Sequence, residues 1–251
     1  MTVASLTDVS HAVVDGGPPP APAGGRAPAG TRAWFVIYLL WMIGLAASAL
    51  LLLSRGEQAG DALAIHGWIL VLMCFYLSLC NGFLPMPTAW IILLAASPDY
   101  ALFPEPVLNI FAVALLGSFA TAMANLNEYH LLAYGFGGRW GQRLRGTNAY
   151  AWAVRWFDRA PFRVLVLVAF FPIPVDVVRW LAILRDYPRV RFGVAYFAGR
   201  AARYLIFAAC SVLFTFSGAQ IVLIQVGLVV AALSARLVWW WVRRVPAPPA
   251  A

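Results

Sequence analysis

Residues 81–87 read Asn-Gly-Phe-Leu-Pro-Met-Pro, and they lie in the middle of a stretch, 62–98, that carries no charged side chain. Its 37 residues are too many for one bilayer crossing and too few for two crossings with a proper loop. Pro85 and Pro87 break a helix, because each lacks a backbone N–H and restricts the residue before it. Broken backbone at membrane depth needs protein or a wet cavity around it. We therefore predict a re-entrant hairpin that enters, turns at the prolines and returns to the same side.

The composition of the whole chain favours the same environment. Of 251 residues, 63% are hydrophobic and 11% are charged, whereas about a quarter of the residues are charged in a typical soluble domain. A soluble fold of this size could not bury so much apolar surface. The composition excludes an ordinary cytosolic enzyme and a disordered protein, and it predicts one all-α polytopic membrane domain.

The positive charge has a distribution that argues against a nucleic-acid partner. The formal net charge is +8, and all 18 basic residues are Arg, most of them beside apolar runs. This pattern follows the positive-inside rule for membrane proteins. Cys74, Cys80 and Cys210 are scattered through apolar segments without metal-ligand or disulfide spacing, so we interpret them as packing residues.

The segments around the first break have different characters. Residues 1–32 are rich in Pro, Gly and Ala and predict a disordered tail. Residues 33–54 carry no charge and predict an N-terminal transmembrane helix. Residues 106–127 predict another span, and its many small side chains would let neighbouring helices approach closely.

A basic segment, 139–163, follows that span and carries six Arg and one Asp. The positive-inside rule places it in the cytoplasm. Within it, residues 148–159 predict a short amphipathic helix in the plane of the interface. Two interpretations stay open for this segment, a loop that only fixes the topology and a site for lipid headgroups.

A second break repeats the first one. Residues 170–176 read Phe-Phe-Pro-Ile-Pro-Val-Asp, and a shift of 87 residues places Pro85 and Pro87 on Pro172 and Pro174. The same shift places the span at 106–127 on one at 193–216. We infer an internal repeat of hairpin plus span, with the second hairpin at 164–184.

The charges predict that the two copies are inverted. Acidic residues follow the first hairpin, whereas Arg-rich segments flank the second. Residues 218–242 then form a C-terminal transmembrane helix that returns to the cytoplasm. In this topology both termini are cytoplasmic, and of the 18 Arg only Arg55 lies outside.

Two broken hairpins of inverted topology are typical of transporters, whose substrate site lies near the midplane where the broken helices meet. Asp176 follows the second tip, and Arg179 is three residues on, hence on the same helix face. Arg203 lies deep enough in the following span to approach Asp176, and Arg200 lies one turn nearer the cytoplasm. The competing interpretations are hairpins that serve folding alone and arginines that extend to the interface.

Charge chemistry indicates the kind of substrate. Guanidinium groups bind phosphate bidentately, so Arg200, Arg203 and Arg179 would suit an anionic headgroup, with Asp176 as counter-ion or proton site. Glu128, at the end of the span before the basic segment, is a candidate interfacial charge or proton site. The sequence carries no phosphate-binding loop, nucleophile elbow or zinc signature, so no enzyme activity, cofactor or metal is expected.

Residues 62–215 resemble the DedA/VTT superfamily, also called the SNARE-associated Golgi protein family, and look most like its short bacterial branch. The resemblance rests on the two Phe-x-Pro-x-Pro hairpins, the small-residue span ending near Tyr129, the tip at 172–176, and Gly199-Arg200-Ala-Ala-Arg203-Tyr204. The chain departs from the family in having Thr88 after Pro87, where typical members have an acidic residue.

The resemblance implies a VTT-like core at 62–216 and a lipid scramblase or proton-linked flippase of the bacterial inner membrane. It implies functional positions at Asp176, Arg200 and Arg203, with Tyr204 in the same substrate-binding stretch. The expected substrate is a phospholipid or isoprenoid phosphate, and a homo-oligomer is an open alternative. A carrier of a small anionic solute and a non-transporting membrane-organising protein are the other hypotheses.

Overall fold

The computed structural model describes residues 30–59, 62–80, 87–136, 148–171 and 176–244. All regular elements in these ranges are helices, and no strand occurs in them, which confirms the predicted all-α class. The helices, in chain order, are α1 (Thr31–Ala59), α2 (Ala62–Cys80), α3 (Ala89–Ala96), α4 (Pro106–Phe136), α5 (Asn148–Phe157), α6 (Pro161–Phe170), α7 (Asp176–Leu184), α8 (Arg189–Leu213) and α9 (Gly218–Arg244). A short 3₁₀ turn, Pro98–Tyr100, follows α3.

Three of the described helices are long and apolar enough to cross a membrane. They cover Thr31–Gly56, Leu63–Cys80 and Pro106–Tyr134. Large apolar side chains stay exposed along the outer helices, for example Leu40 on α1 and Leu223 on α9. Water would penalise such surfaces, whereas lipid tails would not, so the fold is compatible with a membrane protein.

Several helices extend beyond the uncharged runs that predict them. Helix α1 continues past Ser54 to Ala59 and includes Arg55 and Glu57. Helix α4 continues past Asn127 to Phe136. A charged side chain raises the cost of membrane burial but does not end a helix, whose backbone bonds continue into water. The predicted tail, apart from residues 30–32, lies outside the described residues.

The centre of the fold is an antiparallel pair of helices, α4 and α8. Gly117 of α4 lies against Tyr204 of α8, and Leu126 lies against Gly193. Toward the end of α4, the ring of Tyr129 lies 5.2 Å from that of Phe192. Residue numbers that rise on α4 therefore fall on α8.

The first broken segment folds as two helices side by side. The Tyr76 hydroxyl near the end of α2 donates to the Pro87 carbonyl at 2.9 Å, and Trp90 Nε1 of α3 donates to the same hydroxyl at 3.1 Å. Ile92 lies against Gly117, at mid-length of α4, while Ser97 Oγ donates to the Phe216 carbonyl, beyond the end of α8, at 3.0 Å. Helix α3 therefore runs from the middle of the central pair back to one end of it.

The second broken segment is arranged similarly at the opposite end. Helix α6 packs directly on Gly199, in the middle of α8. Helix α7 leads back to Tyr187, whose carbonyl accepts from the Tyr129 hydroxyl at 2.9 Å. Arg185, just after α7, forms a salt bridge at 2.6 Å with Asp158, just before α6.

Helices α2 and α3 of the first half, and α6 and α7 of the second half, pack on the central pair in a crossed arrangement. Helix α2 packs on α4 as α6 packs on α8, whereas α3 packs on α8 as α7 packs on α4. Helix α7 begins at Asp176 and α3 at Ala89, which are 87 residues apart. Two apolar clusters result. One lies among α2, α3, the first half of α4 and the second half of α8, and the other lies among α6, α7, the second half of α4 and the first half of α8.

The ends of α7 and α8 share one backbone motif. Tyr187 N–H bonds the Ala182 carbonyl and Asp186 N–H bonds the Ile183 carbonyl, as in a Schellman cap. After α8, Phe216 and Thr215 repeat this pattern. Asp186 and Thr215 take φ of 50° and 47°, a left-handed conformation that normally favours Gly. These caps turn the chain tightly into the next helix.

Candidate functional site

One face of α4 is polar although the helix is apolar overall. Thr121, Asn125 and Glu128 follow one another at helical spacing, so they share this face. Thr121 is fully buried and Asn125 is 1% exposed. Asn125 Nδ2 donates to the Thr121 carbonyl at 2.9 Å, which satisfies the amide within its own helix.

Helix α8 supplies the facing groups. Tyr204 is fully buried, and its hydroxyl lies 3.0 Å from Thr121 Oγ1. Thr121 is the midpoint of α4, which runs from residue 106 to 136, so this contact lies about 22 Å from either helix end at 1.5 Å per residue. The structure thus places Tyr204 in the packed centre rather than on an accessible wall.

Arg179 connects the second hairpin to the polar face of α4. Its guanidinium forms an ion pair with Glu128 and also donates to Asn125 Oδ1 at 3.1 Å. The two charged side chains are 19% and 16% exposed, so the pair is largely shielded from solvent. Glu128 therefore serves as a counter-ion for Arg179, and α7 is held against α4 by charge as well as by packing.

Arg203 is half-buried beside the Thr121–Tyr204 contact. Its guanidinium lies 5.1 Å from the centre of the Phe207 ring, a cation–π distance. Its Nε is buried and has no hydrogen-bond partner among the described residues, and no described carboxylate lies within salt-bridge distance. Arg200, one turn earlier, lies 6.0 Å from the Tyr204 ring. Two cations thus lie at the middle of the central pair.

The remaining predicted site residues lie partly outside the described part of the chain. Pro85, Pro172 and Pro174 are outside it, and so is the side chain of Asp176, although Asp176 itself opens α7. The expected approach of Asp176 to Arg203 therefore stays a prediction. Pro87 is described, and its carbonyl accepts the bond from Tyr76.

Sequence reasoning overlooked the polar face of α4. We interpreted Thr121 as one of many small residues that permit close helix packing, and Asn125 received no role. The available signal was the spacing of Ser118, Thr121, Asn125 and Glu128, which places four polar side chains on one stripe of an apolar span. In a membrane helix such a stripe indicates a polar interior contact rather than lipid.

The described side chains offer little for metal chemistry. Within the described residues, no group of three or more His, Cys, Asp or Glu side chains could hold a metal ion. The described residues instead provide two Arg, a buried hydroxyl pair and a shielded Arg–Glu pair. The two Arg, Arg200 and Arg203, are the groups that can bind and orient an anion. Neither a protein-family model nor a curated protein nor a solved structure matches this chain.

Proposed function

We propose that this chain is a lipid transporter of the bacterial inner membrane, a scramblase or flippase that moves a phospholipid or isoprenoid phosphate between leaflets. The observation that carries the proposal is Arg203, a half-buried cation at the middle of the fold with no described carboxylate beside it. A buried charge without a counter-charge is costly, and membrane proteins keep such charges where a substrate or ion passes. A phosphate group would bring a negative charge to this cation.

The packing of the two halves supports a transporter architecture. The exchange of partners around α4 and α8 is what an inverted repeat would produce. Helix α3 begins, and helix α6 ends, near mid-length of the central pair, close to Gly117 and Gly199, which lie near the level of Arg203. The resemblance of residues 62–215 to the DedA/VTT superfamily favours the same function. In this proposal both termini are cytoplasmic and the chain crosses the membrane several times.

The contacts support different roles for the individual candidate residues. Arg179 is engaged by Glu128 and Asn125, so we assign it to holding the second hairpin in place. Headgroup recognition falls to Arg203 and Arg200, and Tyr204 positions them through its bond to Thr121. Asp176 keeps its proposed role as counter-ion or proton site.

Leaflet exchange in proteoliposomes tests the proposal. Fluorescent phospholipid is incorporated in both leaflets, and a membrane-impermeant quencher is added outside. Wild type should lose the protected fluorescence, whereas Arg203→Gln should not. Arg155→Gln is the matched control, because Arg155 is an exposed Arg on α5, far along the chain from the central pair.

The assay also separates the other hypotheses. Wild type that exchanges no phospholipid and no isoprenoid phosphate under any gradient would overturn the proposal. Uptake of a soluble anion under those conditions would establish the solute carrier instead. A cellular function that survives Arg203→Gln but is lost in Arg155→Gln would indicate a membrane-organising protein that works through its basic segment.

A further inference from the structure

A second cationic site lies at the base of the second hairpin, away from the central pair. An open cavity of about 640 Å³ is formed where α6 begins and where the turn after α7 leads into α8. Arg159, Arg163 and Arg191 line it, together with Phe162 and Tyr187. Three Arg residues border one volume here, which is unlike a basic loop that only fixes topology.

The carboxylates nearest in sequence do not line this cavity. Asp158 precedes Arg159, but its carboxylate pairs with Arg185 at 2.6 Å. No described carboxylate lies within salt-bridge distance of Arg163 or Arg191. The described lining therefore carries Arg but no Asp or Glu, and it suits an anion with several acceptor oxygens, such as a phosphate group.

An apolar track leads away from the cavity along α6. Arg163 and Leu167 are four residues apart on α6, so they share one side of the helix, and Phe171 follows directly after the helix ends at Phe170. Leu167 is 55% exposed and Phe171 is 49% exposed. The track ends next to the break of the second hairpin. An anion bound by Arg163 would thus have an apolar surface beside it, which suits a lipid and offers nothing to a free ion.

We propose that Arg159, Arg163 and Arg191 bind the phosphate of an anionic lipid in the cytoplasmic leaflet, with an acyl chain along Leu167 and Phe171. Basic pockets between membrane helices on the cytoplasmic side bind anionic headgroups in this manner. The site rests on the membrane insertion and orientation of the proposed function, but not on transport. Arg191 and Arg203 are both on α8 and 12 residues apart, or about 18 Å at 1.5 Å per residue, so the site is separate from Arg203.

Calorimetric titration of the full chain in phosphatidylcholine nanodiscs tests the site. The Arg203→Gln background weakens the central site, and empty nanodiscs supply the baseline. Three probes are compared, namely dioctanoyl phosphatidic acid, dioctanoyl phosphatidylcholine and inorganic phosphate. Phosphatidic acid should bind at least about tenfold more tightly than either of the others, because only it offers both the phosphate monoester and an acyl chain.

Two double variants in the same background assign the binding to the cavity. Arg163→Gln with Arg191→Gln should weaken phosphatidic acid binding about tenfold or more, since charge-assisted hydrogen bonds are lost. Arg32→Gln with Arg155→Gln removes the same charge from exposed positions outside the cavity and should leave the affinity unchanged. All four side chains are exposed, and equal unfolding temperatures check that every variant is folded.

Four results would overturn the proposal. If inorganic phosphate bound as tightly as phosphatidic acid, the site would not recognise the acyl chain. If phosphatidylcholine bound as tightly as phosphatidic acid, the site would not select an anionic headgroup. An equal loss of affinity in the control double variant would show that only the net charge matters. An unchanged affinity in the cavity double variant would show that phosphatidic acid binds elsewhere. Intact binding in a wild type that exchanges no lipid would leave this site standing while the proposed transport function fails.

Discussion

At the scale of single residues, the second hairpin depends on one shielded charge pair. Arg179 bonds both Glu128 and Asn125, so its guanidinium joins α7 to α4. Removing one member of such a pair leaves the other member with an unsatisfied charge away from bulk water. Arg203 has no described carboxylate within salt-bridge distance, which is why we propose substrate recognition for it and a structural role for Arg179.

We expect Glu128→Gln to destabilise the fold by about 1–3 kcal/mol, because Arg179 loses its charged partner in a site only partly open to solvent. Arg179→Gln should have a similar effect. The double variant should be at least as stable as the less stable of the two single variants. The unfolding midpoint in detergent measures these differences. Glu105→Gln, at an exposed acid just before the same helix, should leave the midpoint unchanged. An unchanged midpoint in Glu128→Gln would show that the pair adds nothing to stability.

Replacement of Arg203 by Lys separates charge from geometry. Lys keeps the positive charge but lacks the planar fork that grips a phosphate with two parallel bonds. We expect Arg203→Lys to lower the rate of leaflet exchange about tenfold, with an unchanged unfolding temperature. Arg155→Lys is the matched control and should exchange lipid at the wild-type rate. A wild-type rate in Arg203→Lys would mean that charge alone is recognised.

At the scale of helices, the close contact between α6 and α8 depends on Gly199, which has no side chain. Gly199 lies so close to α6 that an added Cβ would clash with the Val166 carbonyl oxygen and would come within 2.7 Å of Ala169 Cβ. These two atoms belong to the backbone and to a methyl group, and neither can move aside. Helix α6 can therefore approach α8 only where α8 carries Gly.

We expect Gly199→Ala to destabilise the protein by about 1–3 kcal/mol, because α6 must move away from α8 and the second apolar cluster loses contacts. Gly227→Ala on α9 is the control, since nothing lies within 4 Å of its Cβ position. That change should be neutral or stabilise the helix by up to about 1 kcal/mol through higher helix propensity. Thermal unfolding of both variants in detergent measures the difference. Equal effects of the two substitutions would contradict the close packing.

At the scale of the whole molecule, the inverted arrangement makes a prediction about sidedness. A re-entrant first hairpin leaves Arg55, before it, and Glu105, after it, on the same side of the membrane. Arg155 on α5 should lie on the other side. A first segment that crossed the membrane once would instead separate Arg55 from Glu105.

Cysteine labelling in intact cells tests this sidedness. The three native cysteines are replaced by Ala, and single cysteines are introduced at the exposed positions 55, 105 and 155. We expect an impermeant thiol reagent to label positions 55 and 105 in intact cells, and position 155 only after permeabilisation. Labelling of 55 without 105 would rule out the re-entrant hairpin, and labelling of 155 in intact cells would reverse the proposed orientation.

The all-helical class of the protein follows from its amino-acid sequence alone. Apolar runs are properties of single segments, because a membrane acts on each segment separately, so this class could be read without coordinates. The hairpins are predicted from Pro pairs for the same local reason, and they stay a prediction, because residues 81–86 and 172–175 lie outside the described part of the chain.

Only the tertiary structure decided which side chains meet. Arg179 and Glu128 are 51 positions apart in the chain, and Thr121 and Tyr204 are 83 apart. No local pattern pairs such residues, because their contact depends on how far each hairpin enters and how α4 and α8 are rotated. For this reason the sequence could not show that Arg179 bonds Glu128 and Asn125. The convergence of Arg159, Arg163 and Arg191 on one cavity likewise depends on packing the start of α6 against the start of α8, which no single segment encodes.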